Sequence, residues 1–109
     1  MDLTPQQIRT LQLLQQRAFA TVAFPMYPNH IGVRKGNCAA LLAPVAAGTF
    51  AIFGTPSYLI AGNLTVRVRQ NSQDWFVWKK ERLEANPARL AELGAFIREL
   101  TAALEPQPQ

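Results

Sequence analysis

The chain is predicted to fold as α+β: an N-terminal helix, an antiparallel β-meander of five to six strands and a C-terminal helix. Two capped, proline-started segments with helical periodicity stand at its ends. Short β-prone runs, separated by turns rich in Gly and Asn, fill the space between them. Strands joined by such short turns pair as antiparallel neighbours, because a parallel crossover needs about a dozen residues or more.

In the first helix Thr4 is the N-cap, Pro5 suits the first helical position, and Gln7 completes a Thr-x-x-Gln capping box. Leu3 and Ile8 occupy the two positions of a hydrophobic staple. Ile8, Leu11, Leu14, Ala18 and Val22 recur at helical spacing. The helix is expected over 5–20 and must end by Pro25, which pushes Phe24 towards extended geometry.

Strand-like runs follow at 30–35, 38–43, 49–53, 57–61, 64–69 and 74–79. Turn signals separate them at Gly36-Asn37, Pro44 to Gly48, Gly54 to Pro56, Gly62-Asn63 and Asn71-Ser72. The segment 79–82 reads as a solvated strand end leading to the last helix. That helix starts at Asn86-Pro87 and is expected over 87–104, with Leu90, Leu93, Ile97, Leu100 and Leu104 as its apolar stripe. Gly94 inside it suggests a close approach to another backbone. The whole is read as one domain over 1–104, followed by a disordered tail at 105–109.

Turn length fixes strand register, and register decides faces. With two-residue loops at 62–63 and 71–72, Tyr58, Ile60, Thr65, Arg67, Phe76 and Trp78 share one face. Leu59, Leu64, Val66, Val68, Trp75 and Val77 share the other, and Arg69 stands opposite Asp74. A longer loop at 71–74 would instead leave Trp75 on the aromatic face. A sheet apolar on both sides must be covered on both. Either each helix takes one face, or both helices take one and a second subunit takes the other. The homodimer is the preferred reading, with Tyr58, Ile60, Arg67, Phe76 and Trp78 at its interface.

Charge narrows the chemistry. Residues 3–73 carry six basic side chains and no acidic one, and between Arg17 and Arg67 the only charges are Arg34 and Lys35. Such a stretch offers no carboxylate general acid or base, no carboxylate metal ligand and no acidic orienter for a histidine. A single His and a single Cys cannot complete a zinc site, and neither GxxxxGK[ST] nor GxGxxG occurs. His30 and Cys38 are the candidates for a base and a nucleophile. The turn at 36–37 sets His30 opposite Ala43 and Cys38 opposite Lys35, which could lower the thiol pKa. Cys38 is nonetheless read as a small apolar residue. No catalytic activity, cofactor or metal is expected.

Arg34 and Lys35 form a compact basic turn that could contact an anion. Arg67, Arg69, Lys79 and Lys80 lie beside Tyr58, Phe76 and Trp78, a basic-aromatic pattern of the kind that binds nucleic acid, although the RNA-binding sheet signature is missing. A small-ligand pocket between sheet and helices, with Tyr27, His30 and Tyr58 as polar handles, is the other alternative. Prolines and glycines break the uncharged stretch 36–66, so no membrane span is expected. The lone cysteine and the missing secretory pattern point to the cytoplasm. The leading expectation is a non-catalytic cytosolic interaction or accessory protein, acting as a homodimer or in a larger assembly.

Overall fold

A computed structural model describes residues 3–45 and 48–105; positions 106–109 of the expected tail lie outside the described residues. Helix α1 (Pro5–Gln16) leads into β1 (Ala20–Val22), β2 (Ile31–Lys35), β3 (Cys38–Pro44), β4 (Phe50–Ile60), β5 (Asn63–Leu64), β6 (Val66–Gln70), β7 (Gln73–Trp78) and β8 (Glu81–Glu84), and α2 (Pro87–Leu104) closes the chain. β1 to β5 form one antiparallel sheet in chain order, and β6 to β8 form a second. The α+β order of helix, antiparallel strands and helix is as predicted, with the strands divided between two sheets.

The helix starts follow their capping chemistry. Thr4 Oγ1 accepts from Gln7 N at 3.1 Å, and Gln7 Oε1 accepts from Thr4 N at 2.9 Å. Gln7 is buried, and its Nε2 donates to the Thr49 carbonyl at 2.9 Å, so the same cap ties α1 to the loop before β4. At the start of α2, Asn86 Oδ1 accepts from Arg89 N at 2.9 Å, behind Pro87.

The end of α1 differs from expectation. The helix stops at Gln16 rather than continuing to residue 20, because Ala18 turns left-handed at φ 69°. Phe19 N then donates to Leu14 O at 2.9 Å and Ala18 N to Gln15 O at 3.1 Å, the paired bonds of a Schellman motif. Burial of Phe19 next to Leu14 in the core drives this reversal, although the left-handed position holds Ala instead of Gly. Val22 therefore sits in a strand. Ile8 of the expected staple is 45% exposed.

The large sheet has two unlike faces. Val33, Cys38, Ala40, Leu42, Phe50 and Tyr58 point to α1 and α2, where Leu14, Leu93, Phe96 and Leu100 complete the main core. The outer face carries Phe24, Ala39 and Leu41, with Val22, Tyr27, Leu59 and Leu64 against them. Gly32 lies under Phe24 on this face. A Cβ there would meet the Phe24 ring at 2.6 Å and Val22 O at 2.5 Å, so only glycine fits. Gly94 of α2 has no such role, since the nearest atom to an added Cβ is Arg98 Nη1 at 3.4 Å.

Three strand details depart from the sequence reading. Residues 49–53 and 57–61 are not neighbouring strands around a Gly54–Pro56 turn. Both pair with β3, and Gly54, Thr55 and Pro56 form a bulge opposite Ala40, where the register jumps from Leu41↔Phe53 to Ala39↔Ser57. The next hairpin turns at Ala61-Gly62, one residue early, with φ of 50° and 78°, pairing Ile60 with Asn63 and Leu59 with Leu64. A further hairpin turns at Lys79-Lys80 and creates β8. The turns at Gly36-Asn37 and Asn71-Ser72 are where the sequence puts them, with Lys35↔Cys38 and Gln70↔Gln73 as closing pairs.

Candidate functional site

The basic turn is occupied by the protein's own carboxylates. Glu92 and Glu99 lie two turns apart on α2, so they share a face that reaches the turn between β2 and β3. Lys35 Nζ pairs with Glu99 Oε2 at 2.5 Å and sits 5.3 Å from the centre of the Phe19 ring. Glu92 accepts from Asn37 Nδ2 at 3.3 Å, from Asn37 N at 3.4 Å and from the Tyr58 hydroxyl. Arg34 folds back, its Nε donating to Gly36 O at 3.1 Å. The expected anion contact at Arg34 and Lys35 is thus divided: Lys35 serves an internal ion pair and Arg34 its own turn.

Cys38 is fully buried on the helix side of β3. Burial first, and then the Glu92 carboxylate, push its thiol up from 9.0 to about 12. Lys35, paired with Glu99, does not activate it. His30 stacks on Phe53 at a centroid distance of 4.1 Å and meets Tyr27 edge-on at 6.4 Å. Phe53 belongs to the outer face, so His30 and Cys38 serve opposite sides of the sheet and make no dyad. His30 Nδ1 is buried without a hydrogen-bond partner. Among the described residues no group of three His, Cys, Asp or Glu side chains is arranged to hold a metal ion.

The aromatic face lies inside the molecule. Tyr58 and Phe76 stack at 5.0 Å with 16° between their planes, at 5% and 0% exposure, beneath α2. Burial and the hydrogen bond to Glu92 raise the Tyr58 hydroxyl pKa from 10.0 to about 12. These two rings are therefore unable to form a subunit interface or a stacking platform for bases. Ile60 and Trp78 are half-buried; Trp78 lies with Met26, Tyr27 and Leu64 around a shallow depression. Arg67 is exposed, with Nη2 3.2 Å from Asp74 Oδ2, while Arg69 Nη1 lies 3.6 Å from Asp74 Oδ1.

The opposite face of the small sheet is open. The pairs Val66↔Val77 and Val68↔Trp75 put four apolar side chains on one side of β6 and β7. Val66 is 62% exposed and Val68 36%, Trp75 and Val77 are half-buried, and neither core cluster includes any of the four. On β8 the same side carries Arg82 opposite Val77 and Glu84 opposite Trp75, with the Arg82 guanidinium 5.9 Å from the Trp75 ring centre. The sequence grouped these valines with Trp75 and Val77 correctly. Which of the two faces the helix would cover had no local signal.

Beside the bulge the outer face of the large sheet opens into a cavity of about 330 Å³. Tyr27, Leu41, Phe53 and Leu64 form its apolar walls, Ser57 and Thr65 add hydroxyls, and Arg67 lies at its edge. Thr65 Oγ1 donates to Tyr58 O at 2.6 Å and lies 2.9 Å from Ser57 Oγ, so Ser57 is the donor to Thr65. Of the expected pocket residues Tyr27 lines this cavity, His30 stands behind its Phe53 wall, and Tyr58 faces the helices instead. Phe53, Thr55 and Ser57 went unnoticed. A glycine inside a β-prone run was their one signal, since it marks a bulge as readily as a turn.

No helix among the described residues is long and apolar enough to cross a membrane. The chain matches no family model, no curated protein and no solved structure.

Proposed function

We propose that this chain is a non-catalytic interaction protein that works as a homodimer, joined through the face of Val66, Val68, Trp75 and Val77. The observation that carries the reading is this apolar face, where Val66 and Val68 are exposed, Trp75 and Val77 are half-buried, and neither core cluster takes up any of the four. Trp75 at its centre is the residue type that dominates association energies.

Charge favours a second copy as the occupant. The chain carries a net charge of +4, so two copies repel unless they meet through a neutral surface. This face has one cation, Arg82, and one anion, Glu84, on the same strand. In a two-fold interface each patch meets itself, so Arg82 of one copy can meet Glu84 of its partner. The β6 edge is guarded instead: antiparallel pairing of two β6 strands around Val68 would set Arg67 against Arg69 of the second copy. Such charges discourage open-ended strand addition. Face-to-face contact is thus preferred over edge-to-edge contact.

Four apolar side chains fall short of the ~800 Å² that each partner buries in a standard interface, so a weak dimer is expected, with a dissociation constant on the order of 10 µM or above. Sedimentation equilibrium over micromolar to near-millimolar loading tests it. The wild type should rise from the 12.1 kDa monomer towards twice that mass. Val68→Lys should stay monomeric with unchanged thermal stability. A wild type that remains at monomer mass, or a Val68→Lys variant that associates equally well, contradicts the reading.

A further inference from the structure

We propose that the cavity beside the β4 bulge binds a small carboxylate with an aromatic or short aliphatic body, held at its charged end by Arg67. The cavity shares Val66 with the proposed dimer face, but its other lining residues lie outside that face, and the ligand reading stands on separate observations.

The size comes first. Ligand cavities run from about 300 to 1,000 Å³, and this one, at about 330 Å³, suits a single- or double-ring molecule rather than a nucleotide or an extended lipid. Its shape comes from the bulge. Gly54, Thr55 and Pro56 have no cross-strand partner in β3, so the chain bows away from Leu41 and leaves a hollow between Phe53 and Leu64. Gly54, at φ 69°, has open space where a side chain would stand, so nothing in its own chain fills the rim. Apolar walls favour an apolar body.

The polar end is decided by counting donors. The Thr65 hydroxyl proton is committed to Tyr58 O, and the Ser57 proton is committed to Thr65. The floor can therefore accept hydrogen bonds but has no hydroxyl proton left to give from these two residues. Arg67 is different. A guanidinium has five N–H donors, and Asp74 engages this one through Nη2 alone. Asp74 also serves Arg69, so two cations share one carboxylate and the mouth keeps a net positive charge. A ligand carboxylate can take the remaining Arg67 donors while Asp74 stays between the two arginines. The nearest sequence offers no competitor, because residues 3–73 contain no Asp or Glu.

The test uses 2-naphthoate and its neutral isostere 2-naphthamide as probes, titrated into the ¹⁵N-labelled full chain. 2-Naphthoate should shift the backbone amides of Phe53 to Thr55 and of Thr65 to Arg67 saturably, and 2-naphthamide should bind at least fivefold more weakly. Arg67→Gln should erase that preference, leaving both probes with the affinity of the amide. Thr55→Trp, an exposed position on the lining, should block both probes without changing the spectrum elsewhere. Three results would overturn the assignment: no saturable shift with 2-naphthoate, saturable shifts that cluster away from the bulge, or an Arg67→Gln variant that still prefers the acid. Retained binding of both probes by a folded Thr55→Trp variant would likewise remove the cavity from the account.

Discussion

The two sheets use the same kinds of residue and come to opposite ends. In the large sheet the alternation of β3 sends Cys38, Ala40 and Leu42 to the helices and Ala39 and Leu41 to a second, smaller cluster, so β3 is buried on both faces. In the small sheet Phe76 is sealed against Tyr58, while Trp75, the residue before it, is only half-buried, on a face that joins neither core cluster. Neighbouring aromatics on one strand thus carry different duties. Period-2 patterning states which residues share a side. It does not state which side a distant helix will cover, because that depends on α2, a separate element later in the chain.

The largest expected effect sets these two aromatics against each other. Phe76→Ala should cost about 3–5 kcal/mol, since it empties a fully buried site below α2. Trp75→Ala should cost about 1 kcal/mol or less in the monomer and abolish self-association. Urea unfolding at low protein concentration measures both, and equal losses at the two positions would break the comparison.

The covered face should also show itself in alkali. Cys38 and Tyr58 both have folded pKa values raised to about 12, from 9.0 and 10.0, so the fold favours their protonated forms. Their contribution is intact below pH 9 and is lost as pH climbs towards about 12. The slope is about 1.4 kcal/mol per pH unit for each group. Cys38→Ala should remove the part that begins near pH 9 and leave the later part due to Tyr58. An unchanged alkaline slope in that variant would show that the thiol does not sense the core.

A smaller gain is expected where sequence and conformation conflict. Ala18 holds the left-handed position of the α1 terminus that favours glycine. Ala18→Gly should raise stability by about 1 kcal/mol, read as a higher urea midpoint with unchanged slope.

Particular residues show what the sequence could reveal. Thr4, Gln7, Asn86 and the two N1 prolines announce the helix starts because capping is local chemistry. Gly36-Asn37 and Asn71-Ser72 announce hairpins for the same reason. Lys79 has no turn signature although it adopts φ 54°, so β8 was hidden. Ala18 misled for the converse reason, as a good helix former placed where tertiary burial of Phe19 reverses the chain. At the candidate sites, Tyr27 was legible as a polar handle, and Arg67 only as a cation of the expected interface and basic-aromatic face. The cavity itself required the bulge, and the Glu92 and Glu99 contacts join residues 55 and 64 positions apart, beyond any local pattern.

Self-association through the open face is the central claim, and intermolecular NOEs report on it most directly. A sample mixing ¹³C-labelled and unlabelled chains at near-millimolar concentration, recorded with isotope filtering, isolates contacts between copies. Cross-peaks from the Trp75 indole of one copy to the methyl groups of Val68 or Val77 of the other are the expected result, and Val68→Lys should remove them. Cross-peaks confined to other surfaces, such as Met26 or Ile8, or none at a concentration where the mass has doubled, would contradict the account.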